Sequence, residues 1–274
     1  MKLTTAKQLL AALVTFFLCS PAMADDIKSV INNLEAVEAG VKEPGYSPFA
    51  GRNFPTKVLW GDTHLHTNLS LDARAFGVTL GPADAYRLAR GEEITTTWGQ
   101  RIKLSRPLDW LVVSDHSDAM GTMNEIVKGN PTLLRDPTVK DWYRRINQGG
   151  DVALAATMEV IETFAGITGE SIPSILMDEE FVGSIWEDYL ETADAYNEPG
   201  RFSAIIGYEW TSTENGNNLH RNVLYRDGES EAKQALPFTA AESFNPEDLW
   251  SWMQAYEDKS GGDVLALAHN GNVS

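Results

Sequence analysis

All five histidines of this chain lie in short polar motifs, and imidazole is the side chain that most often binds metal ions in proteins. The motifs occupy residues 62–66, 114–116, 218–222 and 268–270, and they contain His64, His66, His116, His220 and His269. Three of the four motifs follow a short β-rich stretch, and Glu209 ends another such stretch at 203–209. This pattern is typical of several strand ends that bring imidazoles and carboxylates to one metal site.

The first motif holds two histidines separated by one residue. Because side chains alternate along an extended segment, His64 and His66 are expected on the same side, where both could bind one ion. The nearby carboxylate of Asp62 could orient one of the rings. Taken alone, the motif could equally be a polar surface loop.

The other candidate ligands also have ordinary alternatives when each is considered singly. Asp115 could cap a strand beside an incidental His116, and His269 could be a core residue. Glu209 follows an apolar run, where an unpaired carboxylate is costly, so it either pairs with Arg221 or binds metal. If 202–210 and 222–225 form a hairpin, His220 returns to the same end as Glu209. Together the six residues favour a metal site of nitrogen and oxygen ligands, which suits Zn, Mn or Fe.

The N-terminus reads as a secretory signal at residues 1–24. Lys2 and Lys7 precede an apolar segment at 9–18, and an Ala-x-Ala cleavage site lies at 22–24. The only cysteine, Cys19, lies inside this segment. We therefore expect a periplasmic or secreted chain that starts at Asp25 and has neither disulfides nor thiolate ligands.

The chain is strongly acidic. Its formal charge is −17, and removal of two lysines with the signal makes it −19. Such a charge disfavours nucleic-acid binding, and no apolar run is long enough to predict stable membrane association. Clustered divalent ions could still attract a small anionic substrate. The oligomeric state is left open.

The remaining sequence predicts an α/β domain at 57–274, after a helix at 26–39 and a linker that ends at residue 56. Strands are expected at 57–62, 109–115, 202–209, 222–225 and 264–268, and helices at 81–90 and 245–259. A helical insertion at about 120–200 contains helical patterns at 141–146, 153–164 and 181–196. Five strands are too few for a closed barrel, so we expect a fragment of a longer protein.

Four segments, at 60–72, 108–117, 207–211 and 220–223, resemble the DUF3604 family, which is similar to the PHP (polymerase and histidinol phosphatase) superfamily of metal-dependent hydrolases. The resemblance implies a distorted (β/α)7 TIM-like barrel, incomplete here at its C-terminus, with two or three metal ions at the strand ends. It makes His64 and His66 the ligands of the first motif and His116 that of the second. It makes Glu209 the bridging glutamate, with His220 and His269 as the later ligands. The superfamily's last Asp-x-His motif is absent from this sequence.

These features predict a metal-dependent hydrolase that uses a metal-activated hydroxide, with phosphoesters as the first choice of substrate. Asp115 or Asp62 would accept a proton or orient ligands, and Arg221 or Arg74 would bind an anionic substrate. The alternatives are hydrolysis of another ester, an amide or a sulfate ester, or a non-catalytic periplasmic metal-binding protein. The helical insertion is expected to help form the pocket, with Trp98, Trp142 and Trp186 as available aromatic side chains.

Overall fold

The computed structural model describes residues 57–166, 169–213 and 218–269. The predicted signal peptide, the helix at 26–39 and the linker that ends at residue 56 lie outside the described residues. From Leu59 onward, the described residues belong to one compact unit.

Eight strands are found in the described residues, and they form three small sheets. They are β1 (Gly61–Leu65), β2 (Ile94–Thr95), β3 (Arg101–Ile102), β4 (Trp110–Val113), β5 (Ser203–Ile205), β6 (Gly207–Trp210), β7 (Arg221–Tyr225) and β8 (Val264–Ala268). In the first sheet β4 lies between β1 and β5, and all three strands are parallel. In the second, β7 is antiparallel to both β6 and β8. The third is the short antiparallel hairpin of β2 and β3.

Two of these sheets are closely connected. Only Ile206 separates β5 from β6, and a parallel bridge pairs His116, after β4, with Glu209 in β6. Gly207 allows β4 and β7 to pack closely against β6, because a Cβ at this position would lie 2.5 Å from Cγ1 of Val112 and 2.8 Å from the carbonyl oxygen of Val223. None of the three sheets closes into a barrel within the part of the chain that the structure describes.

The five segments predicted as strands all contain strand, but two of them differ from the prediction. The segment 202–209 was expected to be one strand and is divided at Ile206 into β5 of the parallel sheet and β6 of the antiparallel sheet. The first strand was expected at 57–62 but runs from Gly61 to Leu65, so His64 lies inside it instead of after it. The β2–β3 hairpin was not predicted, because two-residue strands leave almost no periodic pattern.

The helices follow local signals that are visible in the sequence. They are α1 (Leu71–Ala75), α2 (Pro82–Ala89), α3 (Thr122–Lys128), α4 (Pro137–Ile146), α5 (Gly150–Phe164), α6 (Glu179–Tyr196), α7 (Glu229–Ala232) and α8 (Pro246–Ser260). The side chains of Asp136, Asp178 and Asn245 accept backbone N–H groups at the starts of α4, α6 and α8. Gly261 ends α8 in the left-handed conformation, with φ of 73°.

Apolar side chains form two cores. The larger packs the strands against α2, α6 and α8, and Trp186, Tyr208 and Tyr225 lie in it. The smaller lies among α3, α4 and α5, around Ile126, Trp142 and Val160. The helical region thus has a core of its own, and its helix α5 extends beside the strand ends that carry the histidines.

No helix among the described residues combines the length and the apolarity that crossing a bilayer requires.

Candidate metal centre

One buried carboxylate, that of Glu209, lies at the centre of all five histidines. Its side chain is only 1% exposed. Its Oε2 atom lies 3.1 Å from Nε2 of His64 and 2.8 Å from Nε2 of His66. Its Oε1 atom lies 2.5 Å from Nδ1 of His220, 2.9 Å from Nε2 of His269 and 3.7 Å from Nδ1 of His116. The six predicted ligands are therefore brought together, with imidazoles on both oxygens of one carboxylate.

The strand arrangement explains this convergence. In the antiparallel sheet Trp210 pairs with Arg221, and Arg221 pairs with Ala268. His220 directly precedes Arg221 and His269 directly follows Ala268, so both lie just beyond these pairs, at the end of the sheet near Glu209. The hairpin considered from the sequence is thus found, with 207–210 and not the whole of 202–210 as its first strand. A hydrogen bond from Nδ2 of Asn222 to the carbonyl oxygen of Thr63 holds β1 against this end at 2.8 Å.

Three polar side chains orient the rings of His66 and His116. The Nδ1 atom of His66 lies 2.8 Å from Oγ of Ser70, and Nδ1 of His116 lies 2.6 Å from Oγ1 of Thr211. Asp72 faces both rings, at 3.4 Å from Nδ1 of His66 and 3.6 Å from Nε2 of His116. Hydrogen bonds of this kind fix the direction in which an imidazole presents its other nitrogen to a metal.

Asp72 was not identified as a site residue from the sequence, although it ends the segment 60–72. It lies six positions after His66, and nothing in that spacing shows that the turn before α1 brings its carboxylate back. A carboxylate close behind a His-x-His motif, in the first turn of a short helix, was the available signal.

Burial and hydrogen bonds between the histidines and carboxylates of the cluster shift the pKa values of these groups. Burial by itself raises the pKa of Glu209, but hydrogen bonds with His220 and His66 hold it well below its usual range. Burial likewise raises the pKa of Asp72, and hydrogen bonds with His116 and His66 outweigh it, so this pKa is also lowered. Burial lowers the pKa of His66, yet its bonds with Asp72 and Glu209 raise it to about 10. For His64 burial prevails over the attraction of Glu209, and its pKa is lowered.

The donor set fits divalent metal ions. Three groups of residues have ligand atoms within 4.8 Å of one another: His64, Glu209 and His269; His66, Asp72 and His116; and His116, Glu209 and His220. The first two groups share no residue, so they could hold two ions independently. Nε2 of His220 and Nδ1 of His269 are buried, and neither has a hydrogen-bond partner among the described residues. Such atoms are costly unless a ligand completes them.

The three residues predicted to be catalytic lie around the centre in different ways. Asp62 is exposed and accepts the backbone N–H of His64 at 2.9 Å. Asp115 is buried, accepts the backbone N–H of Thr67 and accepts its hydroxyl at 2.6 Å. Burial raises the pKa of Asp115 to about 6. Both carboxylates thus hold backbone near the ligands, and their catalytic roles remain predictions.

Arg221 does not pair with Glu209, which was the alternative to metal binding by that glutamate. Its Nη1 atom donates to the carbonyl oxygens of Leu219 and His220, at 2.6 and 2.9 Å. Arg74, the other cation considered for substrate binding, has its Nε atom 3.4 Å from Oδ1 of Asn124. Substrate binding by either arginine stays a prediction.

The helical insertion does border the site, but not through tryptophan. The cleft next to His116 and Asp72 is lined on one side by Ile161 and Phe164 of α5. Trp142 and Trp186 are instead fully buried in the two cores, and Trp98 is 72% exposed. The expectation that these tryptophans are available to the pocket is therefore wrong for Trp142 and Trp186.

The fold and the site together define a mixed α/β protein with a histidine–carboxylate centre that could hold metal ions. The family model described as "Protein of unknown function (DUF3604)" matches residues 53–274, and the chain belongs to this family. No curated protein and no solved structure shows significant similarity to the chain.

Proposed function

We propose that this protein is a metal-dependent hydrolase that acts on phosphoesters. The observation that carries the proposal is the buried carboxylate of Glu209, which lies within 3.7 Å of a nitrogen atom in each of five histidines. A purely structural role would not need every histidine of the chain around one carboxylate. Multinuclear hydrolases use this combination of imidazoles with a carboxylate that can reach two ions.

The residues divide naturally between two ions. The first ion would be held by His64, His269 and one oxygen of Glu209, and the second by His66, His116 and Asp72. A third ion would need His220 and would share Glu209 with the first. Divalent Zn, Mn or Fe suits these ligands, because all donors are nitrogen or oxygen. When bound, such ions act as Lewis acids and make water a stronger nucleophile at neutral pH.

The protein's own residues supply position and charge. Ser70 and Thr211 fix the rings of His66 and His116, and Asp115 fixes Thr67, the residue after His66. Hydrolysis forms a bond from the water oxygen to phosphorus and breaks the bond to the alcohol oxygen, which leaves as the protonated alcohol. Asp62 and Asp115 are the proposed carboxylates for proton transfer or ligand orientation, and Arg221 is a proposed contact for the anion.

The fold is proposed to be a distorted (β/α)7 barrel of the PHP type. Support comes from the parallel order β1–β4–β5, from the helices between these strands, and from His66 and His116 beyond the carboxyl ends of β1 and β4. A crystal structure with metal bound tests this, and strands that do not continue around a common axis would contradict it. The chain is also proposed to be exported, which N-terminal sequencing of the mature protein would test by a start at Asp25.

The central experiment measures bound metal and phosphoesterase activity together. The purified mature chain is analysed for Zn, Mn and Fe and then assayed on aryl phosphate, carboxylate and sulfate esters. We expect about two metal equivalents and metal-dependent hydrolysis of the phosphate ester, with both reduced in His66→Ala and Glu209→Ala. Glu198→Gln, at a half-exposed residue that forms a salt bridge with Arg90, is the matched control and should change neither.

Each alternative gives a distinct result. Faster cleavage of a carboxylate or sulfate ester would support the same hydrolytic site but a different scissile bond. Metal without turnover of any ester would indicate a metal-binding protein. Less than one metal equivalent, unaffected by the substitutions, would contradict the metal site itself.

A further inference from the structure

The size and lining of a cleft beside the centre limit which phosphoester could bind there. It has a volume of about 200 Å³ and is bounded at one end by Asp72 and His116. An apolar cavity of roughly 150 Å³ accommodates benzene. The cleft is therefore large enough for one aromatic ring or a branched alkyl group in direct contact with the centre.

Most of the cleft wall is apolar. It comes from three parts of the chain, namely the start of α1, the end of α5 and the segment between α7 and α8, and consists of Leu71, Ile161, Phe164, Ala165, Ala240 and Phe244. Burial of apolar surface contributes about 25 cal/mol per Å². A hydrocarbon group would gain this contribution here, whereas a sugar or a nucleotide would lose hydrogen bonds to water.

The polar lining disfavours a second anionic group. It consists of Asp72, His116, Asp118, Thr211 and Thr213, and none of the described lining residues is lysine or arginine. The Oδ1 atom of Asp118 accepts the backbone N–H of Ala240 at 3.0 Å, and its Oδ2 atom is shielded from solvent without a hydrogen bond of normal length. A carboxylate held in this way repels further negative charge on a substrate.

We infer that the substrate is a phosphomonoester of a compact, uncharged aryl or branched alkyl alcohol, with its phosphate at the metal centre and its apolar group in this cleft. The inference rests on the proposed function, since it needs the phosphate to bind at that centre. It assigns Phe164 and Ala165 as residues that determine specificity.

Phosphonates test the inference without turnover, because they carry the charge of a phosphomonoester and are not hydrolysed. Binding of methylphosphonate, phenylphosphonate and 2-carboxyethylphosphonate to the metal-loaded chain is measured by calorimetry. We expect phenylphosphonate to bind at least about tenfold more tightly than methylphosphonate, since its ring buries apolar surface. The 2-carboxyethyl compound should bind no better than methylphosphonate.

Two substitutions on the same part of the chain provide a matched pair. Ala165→Phe fills the cleft and should abolish the preference for phenylphosphonate over methylphosphonate. Ala155→Phe makes the same change on the exposed side of α5 and should preserve the preference. Phe164→Ala, which removes one wall, should weaken phenylphosphonate binding by a fewfold and serves if Ala165→Phe does not fold.

The outcomes separate the two proposals. Bound metal and bound methylphosphonate without a phenyl preference, or a preference that survives both cleft substitutions, would overturn the cleft assignment alone. Tightest binding of the 2-carboxyethyl compound would also overturn it. Absence of metal, or absence of methylphosphonate binding to the loaded chain, would overturn the phosphoesterase proposal and the cleft assignment with it.

Discussion

Glu209→Gln is the most informative single substitution in this protein. It keeps the size and shape of the side chain and removes the negative charge that faces five imidazoles. Glu209 belongs to two of the three ligand groups, those with His64 and with His220. The third group, with His66 and Asp72, does not contain it. We therefore expect the bound metal to fall by at least one equivalent instead of disappearing completely.

The effect on stability follows from burial. Removal of one partner from a buried charge pair costs about 3–5 kcal/mol, because the remaining charge is left without compensation. Glu209 is 1% exposed and contacts His66, whose pKa is raised to about 10. For a chain of this size each kcal/mol lowers Tm by about 2–4 °C. The metal-free variant should thus melt roughly 6–20 °C below the metal-free wild type.

Circular dichroism during heating, with and without EDTA, measures the stability, and elemental analysis measures the metal. Glu198→Gln is the control, because it makes the same chemical change at a half-exposed residue paired with Arg90 and Arg201. Exposed pairs contribute only about 0–1 kcal/mol, so its Tm should move little. A Glu209→Gln variant with wild-type metal content and a Tm within the range of this control would refute the reasoning.

Three further predictions concern the surroundings of Glu209. Asp72→Asn should remove the metal held with His66 while changing the free energy of unfolding by less than about 1 kcal/mol, since this carboxylate is 49% exposed. Elemental analysis measures the metal and urea titration measures the stability. Loss of all metal would contradict two independent ligand groups. Gly61→Ala should lower the free energy of unfolding by several kcal/mol, because its Cβ would overlap the carbonyl oxygen of Trp110. Gly183→Ala in α6, where a Cβ would make only an ordinary contact of 3.9 Å with Cδ2 of Leu236, should raise it by about 0.5–1 kcal/mol. Similar urea midpoints for the two variants would argue against the packing described. The pKa of His66 is raised from 6.5 to about 10, so the stabilisation by its charged form is fully present below about pH 6.5 and is lost as pH rises through about 10. The EDTA-treated chain should therefore be less stable at pH 10.5 than at pH 7. A His66→Gln variant that loses as much stability over that interval would show that another group is responsible.

Local sequence patterns were sufficient to predict most elements of the fold. Continuous apolar runs such as 109–115 are typical of buried strands, and Asn245 followed by proline is a strong helix start. Both signals depend on residues close together in the chain. The start of β1 was misplaced by four residues, because Val58, Leu59 and Trp60 have strand propensity but precede the pairing with β4.

The ligand types were also predictable, for a different reason. A metal site needs imidazole or carboxylate at strand ends, and this chain has few histidines from which to choose. The position of His220 followed from the predicted hairpin, since antiparallel strands return the chain to the end it left. The six predicted ligands could therefore be expected to meet before their distances were known.

What the sequence determined about this protein is the order of its strands and helices and the set of side chains able to bind metal. Only the tertiary structure decided that Asp72 turns back to His66, that Arg221 donates to backbone carbonyls and not to Glu209, and that α5 forms an apolar wall beside the centre. The first two facts depend on the direction that a side chain takes, and the third depends on contacts between residues more than 40 positions apart. Propensity and periodicity act over a few neighbouring residues, whereas such contacts are set by how the elements pack on two cores.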